Sequence, residues 1–343
     1  MSQCPFCATP IPDEENLIGE GAGLLVCAAC FNPILMRPHG GDVEVSTIAG
    51  VVDMRRLAPA GSIGALLLEE MKSEVSDLPV LPELSQRILR LLRDPDFTMN
   101  TLTEVIKEDP VLALAIMQQA NSAAFGGLNE ITDLNAACAR LGMRTIANTV
   151  QLVANKNLFI TGNAVLKVSM ERLWKHAIAT AHCANEIARL TLAPNLETIF
   201  LAGLIHDIGK VLLLELVTNP RNKVVQDLQG KPELLREVLD NLHALFGLLI
   251  CQAWKMPPVF RAAVYFHHMP QKCPVKEWHA SVHTVSLANI LAIVEGYSMY
   301  DENPEVFLTS DPSTIHLGLS DIKLATMRVD LSDKLEALFE VAG

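Results

Sequence analysis

Positive charge is scarce in this chain: across 343 residues, 27 Lys and Arg face 39 Asp and Glu, leaving a net charge of −12. The few cations form no stripe, so the counterion release that carries proteins onto phosphate backbones is weak, and direct nucleic-acid binding is not expected. Long apolar runs are missing too; none reaches the roughly 18 residues that a membrane span requires. The N-terminus has no cationic region, Pro5 and Pro10 interrupt it, and its apolar stretch "LLVCAACF" follows Asp13, Glu14, Glu15 and Glu20. That pattern fits neither a signal peptide nor a lipoprotein signal. A cytoplasmic protein without membrane contact is expected. Aromatic residues are thin at 5%, and no repeat or low-complexity tract is evident. With half the residues hydrophobic, dominated by Leu, Ala, Ile and Val, the composition is that of a mainly helical protein, not of a sandwich or barrel. The length implies two or three folding units.

Cysteine is present but unevenly spread. Cys138, Cys183, Cys251 and Cys273 stand singly in apolar surroundings, where a reducing compartment makes them small buried hydrophobes. Cys4, Cys7, Cys27 and Cys30 instead form "CPFC" and "CAAC" separated by nineteen residues. Two such pairs can present four thiolates tetrahedrally to zinc, with Gly19, Gly21 and Gly23 available to bend a hairpin between them. A redox pair or chance clustering is the alternative, although the βαβ setting of a redox site is lacking. So small a segment cannot stabilise itself by burial, and metal binding would supply its folding free energy. Residues 1–38 resemble the zinc ribbons found at the ends of bacterial regulatory proteins. Some ribbons bind DNA, but the first sixty residues hold Arg37, Arg55 and Arg56 among seven carboxylates, which favours a structural or protein-docking role. Residues 39–73, opening with "HGGDVEVSTIAG", read as a linker with a short strand, and a helix is expected near "IGALLLEEMKSEV".

Helical periodicity then takes over. In "LPVLPELSQRILRLLRDPDF", Leu84, Ile88, Leu91 and Leu92 share one face and Arg87, Arg90 and Arg93 the other. Thr98 or Asn100 can cap the next helix, Pro110 can open "PVLALAIMQQAN", and Gly126 and Gly127 can close it. Trp174 and Trp254 read as core residues, Trp254 preceding the helix stop "KMPP".

The second half also holds imidazoles and a carboxylate in helical stretches: His176 in "LWKHAIATA", His206 and Asp207 in "LIHDIGK", His243 in "NLHALFG", and His267 with His268 in "YFHHMP". Such groups suit a divalent transition metal, iron or manganese, and a helical bundle can gather them in its interior. A lone helical histidine is more often a satisfied core or surface residue. Lys210, one turn beyond His206, can either meet a substrate phosphate or pair with a carboxylate. Asp109 before Pro110 is explained by capping.

Four segments, "LPVLPELSQRILRLLRDPDF", "VIKEDPVLALAIMQQANSAAFG", "ITDLNAACARLGMRTIANTVQ" and "AGLIHDIGKVLLL", resemble in order and spacing the HDOD domain, an all-helical relative of the HD and HD-GYP phosphohydrolases. The resemblance covers residues 74–275 and is most specific between Glu108 and Gly142. It implies an HD-like helical bundle, with residues 276–343 as a helical extension packing on it, and a mostly non-catalytic signalling role. The HD-type ligand order is met by His176, His206, Asp207, His243, His267 and His268. It departs at Asn289, where the hydrolases carry a final aspartate, and at Arg172, where some HD-GYP proteins add an acidic ligand; no GYP segment follows "HHMPQKCP". The expectation is therefore a regulatory protein with zinc in the ribbon, iron or manganese in the HD-type pocket, a signalling protein as partner and a small nucleotide as candidate ligand. The alternative is a metal-dependent phosphohydrolase of nucleotides or cyclic dinucleotides, in which Asp207 and Lys210 would be the catalytic pair.

Overall fold

A computed structural model describes strand residues 23–26, 33–39 and 42–47, parts of 98–125, and residues 131–193, 196–218, 231–301 and 306–342. The chain divides into two compact units, one formed by Met1–Pro79 with Asp207–His279, the other by Val80–His206 with Ala280–Gly343. Outside a short N-terminal sheet the described secondary-structure elements are all helices.

The first unit carries that sheet, an antiparallel meander of β1 (Gly23–Val26), β2 (Pro33–His39) and β3 (Asp42–Thr47) in the order β1-β2-β3. Gly23 pairs with Met36 and Val26 with Pro33, so the hairpin turns between residues 26 and 33. The expected bend at Gly23 is thereby corrected, because that residue opens a paired strand. Arg37 pairs with Glu44, which brings part of the expected linker into the sheet. Cys4, Cys7, Cys27 and Cys30 lie outside the described residues, as do the segments expected as helices over 63–75 and 78–97.

The helices of this unit are α5 (Ile208–Thr218), α6 (Pro232–Ala253) and α7 (Pro258–Phe266). Proline opens both α6 and α7, where its missing N–H removes a donor that would have no intrahelical partner. Trp254 caps the end of α6 and is only partly buried, so it contributes less to the core than the sequence suggests. α5 and α6 meet almost backbone to backbone. A Cβ placed on Gly209 would stand 2.0 Å from the His243 carbonyl oxygen and 2.6 Å from the Gly247 nitrogen. Gly247 in turn receives α7, since its Cβ would lie 2.6 Å from Val264 Cγ1.

The second unit is built on α1 (Pro110–Asn121), α2 (Leu134–Lys156), α3 (Lys167–Leu190), α4 (Leu196–Ile205), α8 (His279–Val294), α9 (Pro312–His316) and α10 (Asp321–Ala342). Helix α8 belongs to it from Ala280 onward. As expected, α1 starts at Pro110. Its end is tied to the next segment by Asn121, whose amide donates to the Ile131 carbonyl and accepts from the Ile131 N–H, both at 2.8 Å. Asp133 then caps α2 by accepting from the Ala136 N–H at 2.9 Å. Gly142, at φ +75° and ψ 157°, breaks the α2 ladder in its middle, a conformation costly for any other residue. Leu102, Ile106, Leu112, Ile116, Ile146 and Val150 form one fully buried apolar cluster against α1 and α2.

Helix α3 presents Ala177, Ala181, Ala184 and Ala188 to the interior and packs on α4, where a Cβ on Gly203 would meet Ala181 Cα at 2.9 Å. The C-terminal helix α10 packs on α1 and α3. Cys138, Cys183, Cys251 and Cys273 are buried and not disulfide-bonded; burial pushes the Cys251 thiol up to about 12 and raises those of Cys183 and Cys273, so all three stay protonated and inert at neutral pH. Among the described residues no helix is long and apolar enough to cross a membrane.

Gly209→Ala is expected to cost more than the 1–3 kcal/mol typical of roughly one surplus methylene, because the clash is with backbone; urea unfolding by circular dichroism measures it. Asp133→Ala, which removes only the cap, should cost about 1 kcal/mol in the same assay.

Candidate metal centre

Of the six residues the sequence places in one pocket, Asp207, His243, His267 and His268 come together within the first unit. One donor atom from each lies within 4.8 Å of the others. Asp207 stands at the entrance of α5, His243 in the middle of α6, and His267 with His268 directly after α7. The close approach at Gly209 is what sets His243 beside the start of α5. His243 Nε2 is 3.2 Å from His267 Nε2, 3.0 Å from His268 Nε2 and 3.3 Å from Asp207 Oδ1. Asp207 Oδ1 is also 3.6 Å from His267 Nε2. Asp207, His243 and His267 are at most 2% exposed, whereas His268 reaches solvent.

The hydrogen positions follow from the carbonyls. His243 Nδ1 lies 2.7 Å from the Leu239 oxygen and His267 Nδ1 2.8 Å from the Val264 oxygen. A carbonyl only accepts, so both Nδ1 atoms carry the hydrogen and both Nε2 atoms turn a lone pair inward. His243 Nε2, His267 Nε2 and Asp207 Oδ1 therefore meet acceptor against acceptor. A hydrogen on His268 Nε2 can satisfy one of them and leaves the others opposed. Protonating His243 is resisted: burial pulls its pKa from the ordinary 6.5 down to about 3, Lys210 and His268 assisting and Asp207 opposing. Three imidazoles and one carboxylate suit zinc, iron or manganese. Donors roughly 2.0–2.1 Å from one ion stand about 3.3 Å apart along a tetrahedral edge, close to the separations present. The residues fit a divalent cation.

Lys210 is engaged by Asp207, whose Oδ2 accepts from its ammonium at 2.7 Å in a buried pair one turn long. Of the two roles open to it from sequence, carboxylate pairing is the one its geometry adopts.

His176 and His206 meet in the second unit in the same manner. Their Nε2 atoms are 3.2 Å apart, with Nδ1 donating at 2.8 Å to the Tyr297 carbonyl and the Gly203 carbonyl respectively. Gly203 lies in the last turn of α4, where carbonyls lack intrahelical acceptor duty, so ending the helix at Ile205 lets His206 cap it. Asn289 is buried on α8. Arg172 pairs with Asp301 at 2.8 Å. Elsewhere among the described residues His182 sits edge-on to Phe200, His279 Nε2 lies 2.7 Å from the Cys273 carbonyl oxygen, and His283 stacks on His316 with Nδ1 3.0 Å from Ser313 Oγ.

Sequence reasoning missed the glycines that make this geometry. Gly203 and Gly247 interrupt apolar helical runs, in "LAGLI" and "LFGLL", and that interruption is the available signal; Gly209 in "HDIGK" follows polar residues and gives none.

The described architecture is that of a mainly helical protein that gathers histidines from several helices. A family model for the HDOD domain matches residues 78–270, and the chain belongs to that family. An uncharacterized protein of Treponema pallidum (strain Nichols) is 25% identical over 252 residues, covering 71% of this chain and 48% of the relative, so the chain spans about half that relative's length. An HDOD domain protein of unknown function from Geobacter sulfurreducens superposes with a TM-score of 0.66 at 23% identity, covering 81% of this chain and 97% of that one. A protein of Shewanella amazonensis SB2B, provisionally named a metal-dependent phosphohydrolase, gives 0.59 at 21% identity over 81% of this chain and 99% of its own. A provisionally named signal transduction protein of Marinobacter aquaeolei VT8 gives 0.57 at 19% identity over 90% and 75%. At these identities the likeness is one of fold.

The depressed His243 pKa has a defined consequence for the metal-free chain. Above pH 6.5 the residue is neutral in both states; as pH falls from 6.5 towards 3 the unfolded chain takes up a proton that the folded chain refuses. Stability should drop across that window by roughly 3–5 kcal/mol at 1.36 kcal/mol per pKa unit. Urea midpoints read against pH should show the slope in the wild type and a shallower one in His243→Gln; equal slopes would refute the assignment.

Proposed function

We propose that this chain is a regulatory signal-transduction protein whose HDOD domain holds a divalent transition metal at Asp207, His243, His267 and His268 and works by engaging a signalling partner, without phosphoester turnover. The observation carrying the metal assignment is the clustering of four ligand atoms, three imidazole nitrogens and a carboxylate oxygen, within 4.8 Å of one another, with the Nδ1–carbonyl bonds of His243 and His267 turning their Nε2 lone pairs into the cluster. A bound ion would supply charge and Lewis acidity; the chain supplies orientation, through the Nδ1–carbonyl bonds, and exclusion of water. Three features favour binding over hydrolysis. Asn289 stands where the resembling hydrolases carry an aspartate. The cluster has a single carboxylate, and Lys210 occupies one of its oxygens. Three of the four donors are shut off from solvent, which leaves little room for a phosphoester.

The N-terminal cysteines are assigned to a structural zinc. The support is the paired CxxC spacing, with the second pair falling in the chain between β1 and β2, and the acidity of the surrounding segment favours protein docking over nucleic acid. The isolated buried thiols of Cys138, Cys183, Cys251 and Cys273 are consistent with a reducing compartment, which supports a cytoplasmic location. The phosphohydrolase reading keeps one observation in its favour, the exposure of His268 at the edge of an otherwise buried donor set.

Elemental analysis separates these readings. The purified chain should carry one zinc for the cysteines plus a further divalent metal that is lost in His243→Ala/His267→Ala while the zinc remains. Absence of that second metal from wild type grown with iron, manganese and zinc would overturn the centre. Phosphodiester and nucleotide panels should show no turnover with the metal-loaded protein. Turnover that disappears in Asp207→Asn would establish the enzyme instead.

A further inference from the structure

A pocket of about 260 Å³ opens in the second unit, between helix α3 and the turn that follows α8, lined by Arg172, Lys175, Tyr297, Ser298, Tyr300 and Asp301. We propose that it is a regulatory site for a small phosphomonoester, and that its occupancy is passed to His176 through the Tyr297 carbonyl. The proposal goes beyond the metal reading and requires no metal.

The lining runs against the character of the chain. In a protein of net charge −12, this wall carries a guanidinium and an ammonium three residues apart on one helix, with one carboxylate to balance them. Arg172 already holds an oxyanion in the form of Asp301, at 2.8 Å; its side chain is 41% exposed and that of Asp301 87%, so the pair is solvent-screened and readily exchanged for a better anion. A guanidinium fork matches phosphate oxygens as it matches a carboxylate, and Lys175 adds a second point charge. The two tyrosines and Ser298 offer hydroxyls and ring faces to the remainder of the ligand. The volume falls just below the roughly 300–1,000 Å³ of sites for drug-sized molecules, a size suited to a sugar phosphate or a mononucleotide.

The wall facing Arg172 is a fixed turn. Gly296, at φ +89°, ends α8 as the Tyr297 N–H bonds back to the Ala292 carbonyl at 2.9 Å. The Tyr300 N–H donates to Ser298 Oγ at 3.1 Å, and the Tyr297 ring packs on Phe339 with centroids 4.8 Å apart. That frame aims the Tyr297 carbonyl at His176 Nδ1, 2.8 Å away. Arg172, Lys175 and His176 share a helix turn, so a ligand that draws on the first two and on the Tyr297 segment bears on the bond that orients the third.

Titration calorimetry on the full chain with inorganic phosphate, ribose 5-phosphate and AMP tests the site. Saturable binding of at least one probe is expected, weakened at least about tenfold, the factor that 1.4 kcal/mol represents, in Arg172→Gln/Lys175→Gln, and tightened in Asp301→Asn, where the internal competitor is gone. These positions are solvent-facing, and a matching melting temperature checks that the variants fold. The His176 imidazole nitrogen resonances, assigned with His176→Gln, should shift on titration. No saturable binding by wild type, or binding indifferent to the double variant, overturns the site; binding that leaves the His176 resonances in place overturns the coupling. Metal content measured on the same samples keeps the two readings apart, since binding by a chain without the second metal leaves this site standing and removes only the metal centre.

Discussion

The bond from a histidine Nδ1 to a backbone carbonyl is the interaction on which this molecule's chemistry depends. It recurs at His176, His206, His243 and His267, with lengths of 2.7–2.8 Å. Each instance fixes a ring's tautomer and rotation together, and each turns Nε2 away from the carbonyl and towards the ring of another histidine in the same unit. In the first unit this places imidazole nitrogens and the Asp207 carboxylate within one small buried volume, the geometry on which the proposed metal centre rests. The Lys210 ammonium is turned to the other oxygen of that carboxylate.

Helix packing supports those bonds by removing side chains where backbones must approach. Gly209 against the His243 carbonyl and Gly247 against Val264 draw α5, α6 and α7 close enough for their polar residues to share one small volume. Gly203 does the same for α3 and α4. The cost is conformational entropy in the unfolded chain, offset by the apolar surface these helices bury on both sides of each glycine. Ligand-type residues and close-packing glycines are thus two parts of one arrangement: without the glycines the imidazoles and Asp207 would sit in the same helices but further apart.

A pocket with cationic walls next to His176 adds a route by which such a domain can respond to a small molecule. Its wall is an ordered helix terminus instead of a flexible loop, so a change at the Arg172–Asp301 pair is transmitted through a single carbonyl. On the reading proposed above, the output of such a site is a shift in one side chain's orientation.

Much of this was legible in the residues themselves. Helical class followed from aliphatic composition and three-to-four periodicity; the start of α1 at Pro110 followed from proline's missing N–H; the candidate ligands followed from imidazoles recurring beside "HD" in the order of a known family. Gly23 belongs to a strand and not to a bend because glycine signals both alike, and only the partner strand, through the Gly23–Met36 register, distinguishes them, while Gly19 and Gly21 lie outside the described residues. Trp254 was read as core because ring size suggests burial, whereas its position one residue beyond α6 leaves it partly in water. The amino-acid sequence by itself determined which donors exist and which helices carry them, since those depend on residue type and local periodicity. Only the tertiary structure decided which nitrogen of each ring faces inward, that Lys210 answers Asp207, and that Arg172 borders a pocket, because those depend on carbonyls and carboxylates brought near by packing.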